Sequence, residues 1–291
     1  MIALMYHDVV PAGAEDSSGF PGRDAARYKI TTEQLEEHLR AIALRMRGPL
    51  DARDRLAPPG LSNPSGLPDP PGLPDLPDLP DPPDLPDPIL TFDDGGESAR
   101  TAADALERHG RRGHFFVTAN YIGRPGFVDA AAIRDLDRRG HVVGSHSSSH
   151  PLRIGRCSWP RLLDEWTRSR DTISDIVGRA ITVGSVPGGD FAPAVAEAAA
   201  FAGFTRLFTS EPNAEVRRVW GLELRGRYTI HRWTTAATAA AVLTGAWLPR
   251  ARQALIWNAK KVGKRLAGER YLQIRKLLLG SGHEVNWGDQ R

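Results

Sequence analysis

Two short stretches hold the residue types and spacings that could do chemistry. In Leu90-Thr91-Phe92-Asp93-Asp94-Gly95-Gly96 an apolar run ends on paired carboxylates and a glycine turn. In Gly144-Ser145-His146-Ser147-Ser148-Ser149-His150-Pro151 two histidines stand four residues apart after another apolar run. His146 and His150 face one side if the residues between them make a helical turn. That arrangement suits two imidazoles on one divalent ion, with a carboxylate as third ligand and an open position for water, the donor set of a hydrolytic site. Taken singly, Asp-Asp-Gly reads as a solvated turn and His-x-x-x-His as a polar helix end. Together they gain weight because each follows a strand, at the edge where parallel α/β folds build their sites.

The elements that must position these residues follow from apolar patterning. Short apolar runs predict strands at 2–6, 89–92, 114–118, 141–144, 181–186, 204–209 and 228–230. Amphipathic stretches predict helices after a Thr31 cap and at 99–109, 130–139, 161–177 and 193–202. Strands and helices alternating in this way predict an α/β fold, either a parallel barrel or a doubly wound sheet. From about residue 235 the pattern turns helical and basic. Residues 1–235 therefore read as a catalytic domain and 236–291 as a basic helical C-terminal extension. The domain is interrupted at 57–88 by a Pro-rich insertion, where Leu-Pro-Asp recurs and 13 of the 23 prolines lie. Proline at that density permits neither helix nor sheet ladder, and the aspartates keep the segment solvated.

The 291 residues, 41% apolar and 25% charged, suffice for a substantial core and exclude a wholly disordered, collagen-like or coiled-coil chain. No apolar run reaches the ~18 residues of a membrane-spanning helix. A single cysteine, Cys157, leaves no intramolecular disulfide and no Cys-based zinc site, so a transition metal must be held by His and carboxylate. The start, Met1 to His7, lacks the basic region of a secretory signal, and the expected compartment is the cytoplasm. The net charge of +3 is unevenly spread: residues 250–276 hold nine Lys or Arg against Glu269 alone. The basic character thus belongs to the tail, and without an aromatic-interleaved basic motif no nucleic-acid partner is expected. The tail has two readings. It lies peripherally on the inner face of an anionic membrane, or it docks on the barrel through Trp247, Trp257 and Leu277-Leu278-Leu279 with its basic face solvated. The second is the more usual arrangement.

Thr91-Phe92-Asp93-Asp94-Gly95, followed by His146-Ser147-x-x-His150, resembles the polysaccharide deacetylases of carbohydrate esterase family 4. So do Met5-Tyr6-His7, Phe115-Phe116-Val117 and Arg139-Gly140-His141. The resemblance spans residues 1–235 apart from the insertion. It implies a distorted (β/α) barrel of about seven strands, and metal-dependent hydrolysis of acetamide groups on an N-acetylated polysaccharide or sugar precursor, releasing acetate. It further implies that Asp94, His146 and His150 hold the cation, Zn²⁺ foremost, with Co²⁺ or Ni²⁺ also suited. Asp93 would be the general base and His231 the general acid. Pro187 and Gly188, in the turn Ser185-Val186-Pro187-Gly188-Gly189, would meet the substrate. The division between the carboxylates is chemically sound, since one bound to a cation is poorly basic while its neighbour can accept a proton.

The family places an Arg ahead of that Pro turn, where this chain has Ser185. Asp93 is then expected to lack its cationic partner and to titrate higher than in relatives. That departure supports a second reading, a catalytically weakened glycan-binding or scaffolding protein of surface-polysaccharide assembly. A third keeps the metal site but places it in an amidase acting on a non-sugar substrate. His7, His38, His109, His114, His141 and His283 read as structural or surface residues, with His7 and His114 bordering barrel strands.

Overall fold

The apolar runs of the sequence become the strands of one sheet. In this computed structural model residues 1–46 and 87–267 are described, with side chains as far as Ala259. The insertion expected at 57–88 falls outside them except for 87–88, as do Leu277-Leu278-Leu279 and His283.

The chain opens with β1 (Ala3–Tyr6), a short α1 (Arg23–Ala26) and α2 (Thr32–Met46). It continues with β2 (Ile89–Phe92), α3 (Ala99–Arg108), β3 (His114–Val117), α4 (Ala130–Arg138) and β4 (Val142–Ser145). Next come α5 (Trp159–Val177), β5 (Val183–Ser185), α6 (Pro193–Phe201) and β6 (Arg206–Phe208). The hairpin β7 (Val216–Val219) and β8 (Leu222–Arg225), then β9 (Tyr228–Thr229), α7 (Ala236–Leu243) and α8 (Trp247–Ala267), complete the described chain. Caps fix where the helices start. Thr31 Oγ1 accepts from the Gln34 amide while Gln34 Oε1 accepts from the Thr31 amide, a reciprocal box at the head of α2. Asp129 does the same service for α4 by accepting from the Ala132 amide.

Nine strands lie in the order β7-β8-β6-β5-β4-β3-β2-β1-β9, parallel throughout except for the β7–β8 hairpin. The sheet curls into a barrel left open between β7 and β9, the distorted (β/α) barrel expected, with two more strands. The extra pair is the hairpin. Its exposed Val216-Arg217-Arg218-Val219 has too little apolar continuity to read as a strand. Its tight turn, Trp220-Gly221, has positive φ at both residues (49° and 77°), which matches the twist of a two-residue hairpin.

Alternation along the strands sorts the core into two sides. Leu4, Tyr6, Leu90, Phe92, Phe115 and Leu207 face the helices in the main core. Ala3, Ile89, Phe116 and Phe208 form a separate small cluster inside the curl. Thr91 and Asp93 share the parity of Ile89, which leads the inner face of β2 from apolar to polar as it nears the site.

Helix α7 begins just past residue 235, packs on α2, and contributes Ala239, Val242 and Leu243 to the main core. It belongs to the barrel's packing as fully as the helices before it. Of the tryptophans expected to dock the tail, Trp257 does so, packing against Gly189. Trp247 does not; it is 75% exposed.

Candidate active site

Strand register gathers the site. Tyr6 pairs with Phe92, Val117 with Ser145, and Ser145 with Gly184. One step further along each strand, His7, Asp93, His146 and Ser185 therefore emerge at a common edge. The chain turns sharply there: Asp94 and Gly95 have φ of 75° and 78°. A Cβ on Gly95 would stand 3.0 Å from Val117 Cα, so only glycine fits.

His146, His150 and Asp94 converge. His146 Nε2 lies 3.3 Å and His150 Nε2 3.4 Å from the same oxygen, Asp94 Oδ1. Four ligands around a tetrahedral ion at about 2.1 Å stand about 3.4 Å apart, so this triad has the spacing of three corners of such a site. His146 Nδ1 faces the Ser185 carbonyl at 3.1 Å, a contact that orients the ring with Nε2 toward Asp94. Burial would push the Asp94 carboxyl up, but hydrogen bonds from His146 and His150 and the charge of His7 hold it well below the usual range. An anionic oxygen facing two imidazole nitrogens fits a divalent cation. The three residues form the candidate ligand group, gathered as the sequence predicted.

The way they meet differs from the expectation. Residues 146–150 form no helical turn; Ser147 and His150 have φ of 63° and 55°, and the loop doubles back through left-handed conformations. Serines favour this, since their hydroxyls compete with helical hydrogen bonding. Buried Glu165 on α5 ties the loop down, accepting from the Ser148 and Ser149 amides at 3.0 and 2.8 Å and from the Ser149 hydroxyl. Phe20 packs on the His150 ring at 4.8 Å between centroids. Lys29 holds that segment in place, donating to the carbonyls of Glu15, Ser18 and Phe20.

Asp93 has a cationic partner after all, which corrects the expectation drawn from Ser185. Arg227, between β8 and β9, is fully buried and donates to both Asp93 oxygens, 2.6 Å to Oδ1 and 2.8 Å to Oδ2. It also donates to Ser185 Oγ and Thr91 Oγ1, and its guanidinium lies 5.8 Å from the ring centroids of Phe116 and Phe208. Ser185 Oγ in turn donates to Asp93 at 3.1 Å. Burial acts to raise the Asp93 carboxyl; Arg227, His146 and His7 outweigh it and leave it below the ordinary range. The serine makes room for a guanidinium arriving from another strand. No spacing in the sequence signals Arg227, which follows Gly226 in a charged stretch.

His231 was expected to reach the site as an acid. It stands in the outer half of a line of rings. His7 packs on Tyr28 at 4.8 Å, Tyr28 on His231 at 5.2 Å, and His231 stacks on the exposed Trp233 at 4.8 Å. His7, at the inner end, is the histidine whose charge acts on both Asp93 and Asp94. Its Nδ1 is buried and meets no hydrogen-bond partner among the described residues. Pro187 is buried in the turn after β5, and Gly188 adopts a φ of 62° there. Elsewhere, His38 bridges Tyr6 and the Thr234 carbonyl, His109 meets Glu36, and His141 meets Glu107.

Residues 83–207 match the family model described as polysaccharide deacetylase. The peptidoglycan-N-acetylglucosamine deacetylase PgdA of Listeria monocytogenes is 35% identical over 111 residues, 37% of this chain and 22% of that protein. The chain spans only about a fifth to a third of the length of the curated relatives it matches. Among solved structures, the Streptococcus pyogenes deacetylase PplD, in complex with acetate, superposes with a TM-score of 0.58 at 15% identity, covering 81% of this chain and 94% of that one. A polysaccharide deacetylase from Bacillus cereus gives 0.60 at 16% identity, covering 83% and 68%. These likenesses show the fold. Over residues 83–207 the chain is similar to the polysaccharide deacetylase family.

Proposed function

We propose that this protein hydrolyses the acetamide groups of an N-acetylated glycan, releasing acetate and leaving a free amine on the sugar. The observation that carries the reading is the differentiation of two adjacent carboxylates. Asp94 faces two imidazole nitrogens in the spacing of a cation site, while Asp93 is clamped by Arg227 and faces no ligand but His146, at 4.0 Å.

Asp94, His146 and His150 would hold the cation, Zn²⁺ or one of the similar Co²⁺ and Ni²⁺. A divalent ion there supplies acidity to water and polarises the acetamide carbonyl. Asp93 accepts the proton of the attacking water, held in position by Arg227 and Ser185 so that little reorganisation is needed as charge moves. The Arg227 clamp also removes the ground for the weakened, purely glycan-binding reading, which rested on a missing guanidinium. The proton returned to the leaving amine has two candidate sources. His231 is the residue the family resemblance points to. His7 lines the same small cavity as Asp93 and has a buried Nδ1 with no partner among the described residues, which favours His7 as a second reading.

Acetate release from a panel of N-acetylated oligosaccharides and from peptidoglycan, with and without a chelator, tests the proposal. Chelator-sensitive release from a glycan supports it. Hydrolysis confined to non-sugar amides would replace it with the amidase reading.

A further inference from the structure

Helix α8 is docked the wrong way round for a solvated surface helix. Its inner face, Arg250, Gln253, Ala254 and Trp257, follows the i, i+3, i+4, i+7 spacing of a packed stripe, yet three of these four contacts are polar or aromatic tethers. Arg250 Nε donates to the Val242 carbonyl, Gln253 exchanges two hydrogen bonds with the Thr229 backbone, and Trp257 packs on Gly189. Among its described side chains the large apolar ones other than Trp257 face outward: Trp247 is 75%, Leu248 64%, Leu255 71% and Ile256 45% exposed. Leu248 and Leu255, seven residues apart, share one side of the helix two turns apart, with exposed Arg252 between them and Trp247 and Ile256 on its flanks. Exposed apolar surface gathered in this way marks a binding face.

We infer that this face of α8 docks on an anionic phospholipid surface. The occupant follows from charge. Residues 250–276 hold nine basic residues against Glu269, a local excess that draws the helix to negative lipid. The same excess repels a second copy of this face. An apolar stripe interrupted by arginine is the pattern of a helix lying in a bilayer interface, its basic side chains reaching the headgroups. Among the described residues no helix is long and apolar enough to cross a membrane. Trp257 links the helix to the turn at Gly189, two residues beyond Pro187, which puts α8 beside the site.

The full-length protein is sedimented with vesicles of phosphatidylcholine alone and of phosphatidylcholine mixed with phosphatidylglycerol. Binding is expected to the mixed vesicles only, fading as salt shortens the range of charge attraction. Leu248→Asp with Leu255→Asp should weaken binding at least ~10-fold by removing buried apolar area, and Arg252→Gln about fivefold. Because these side chains are exposed, melting temperature and acetate release from a soluble oligosaccharide should stay at wild-type levels. Absence of binding to the mixed vesicles at low salt, or equal binding to both kinds, overturns the inference. So does a dimer in sedimentation velocity that the Leu248→Asp, Leu255→Asp variant abolishes, since it gives the face to a second copy.

Discussion

Arg227 grips Asp93 through both terminal guanidinium nitrogens, at 2.6 and 2.8 Å, across 134 residues of sequence. A buried fork of this kind holds the carboxylate in one plane and leaves a chosen lone pair for the incoming proton. Arg227→Leu is expected to lower kcat by at least ~10²-fold, the scale of losing a general base, and to destabilise the fold by about 3–5 kcal/mol by stranding a buried charge. Arg227→Lys should recover part of the stability and less of the rate, since an ammonium cannot reproduce the fork. In an Asp93→Asn background, Arg227→Leu should cost almost no further activity, because residues acting through one another are not additive. Kinetics of the double variant check this; an independent further loss would assign Arg227 a role apart from Asp93.

The two aspartates should separate by metal content. Asp93→Asn is expected to retain the cation while losing ~10²-fold or more in kcat. Asp94→Asn, His146→Ala and His150→Ala should each lose the cation, as elemental analysis of the purified variants will show. If Asp93→Asn releases metal and Asp94→Asn keeps it, the roles are exchanged.

The two candidate acids differ in what they should do to different leaving groups. His7→Gln is expected to lower amide hydrolysis by ~10²-fold and to spare an aryl acetate, whose leaving group needs no proton. His231→Gln, acting through Tyr28, should cost less than ~10-fold on either substrate. The opposite pattern, measured on the same two substrates, returns the acid role to His231.

His114 lies inside the barrel against Phe116 and Phe208, and burial, reinforced by Arg206, Arg227 and Arg225, pushes its imidazole down to about 4. The unfolded chain takes up this proton near the ordinary 6.5, so stability should fall as pH drops from about 6.5 toward 4, by up to about 3 kcal/mol. Denaturant melts at pH 7 and pH 5 should show that loss, and His114→Phe should reduce it. A His114→Phe variant with an unchanged pH dependence would show that other groups dominate.

Much of the barrel was legible because its parallel strands are short, continuous apolar runs, as at Ile89–Phe92, which the patterning placed to the residue. The Arg-rich β7 was not, because an exposed hairpin edge needs no such run. The ligand triad was legible in composition and spacing, but the left-handed backbone at Ser147 and His150 is set by Glu165, a tertiary partner on another helix. Arg227 was the least legible of all. Its partner is chosen by the position of β8 and β9 in the sheet, which no local pattern encodes. The substitution that suggested a weaker site, Ser185, makes sense only once the incoming guanidinium is seen.

The place of β1 in the sheet has a consequence for how the molecule comes into being. β1 lies between β2 and β9, pairing Leu4 with Tyr228 and Met5 with Thr229. A growing chain can zip β1 to β2 and then β3 through β6 in order, but the far edge of β1 stays bare until more than two hundred residues have emerged. Throughout that interval a fully apolar strand offers its unpaired amides and carbonyls as a template for a neighbouring chain. The two residues of β9 that close this edge arrive directly behind Arg227. Nascent chains therefore close the bare edge of β1 and bring Arg227 to Asp93 in the same step.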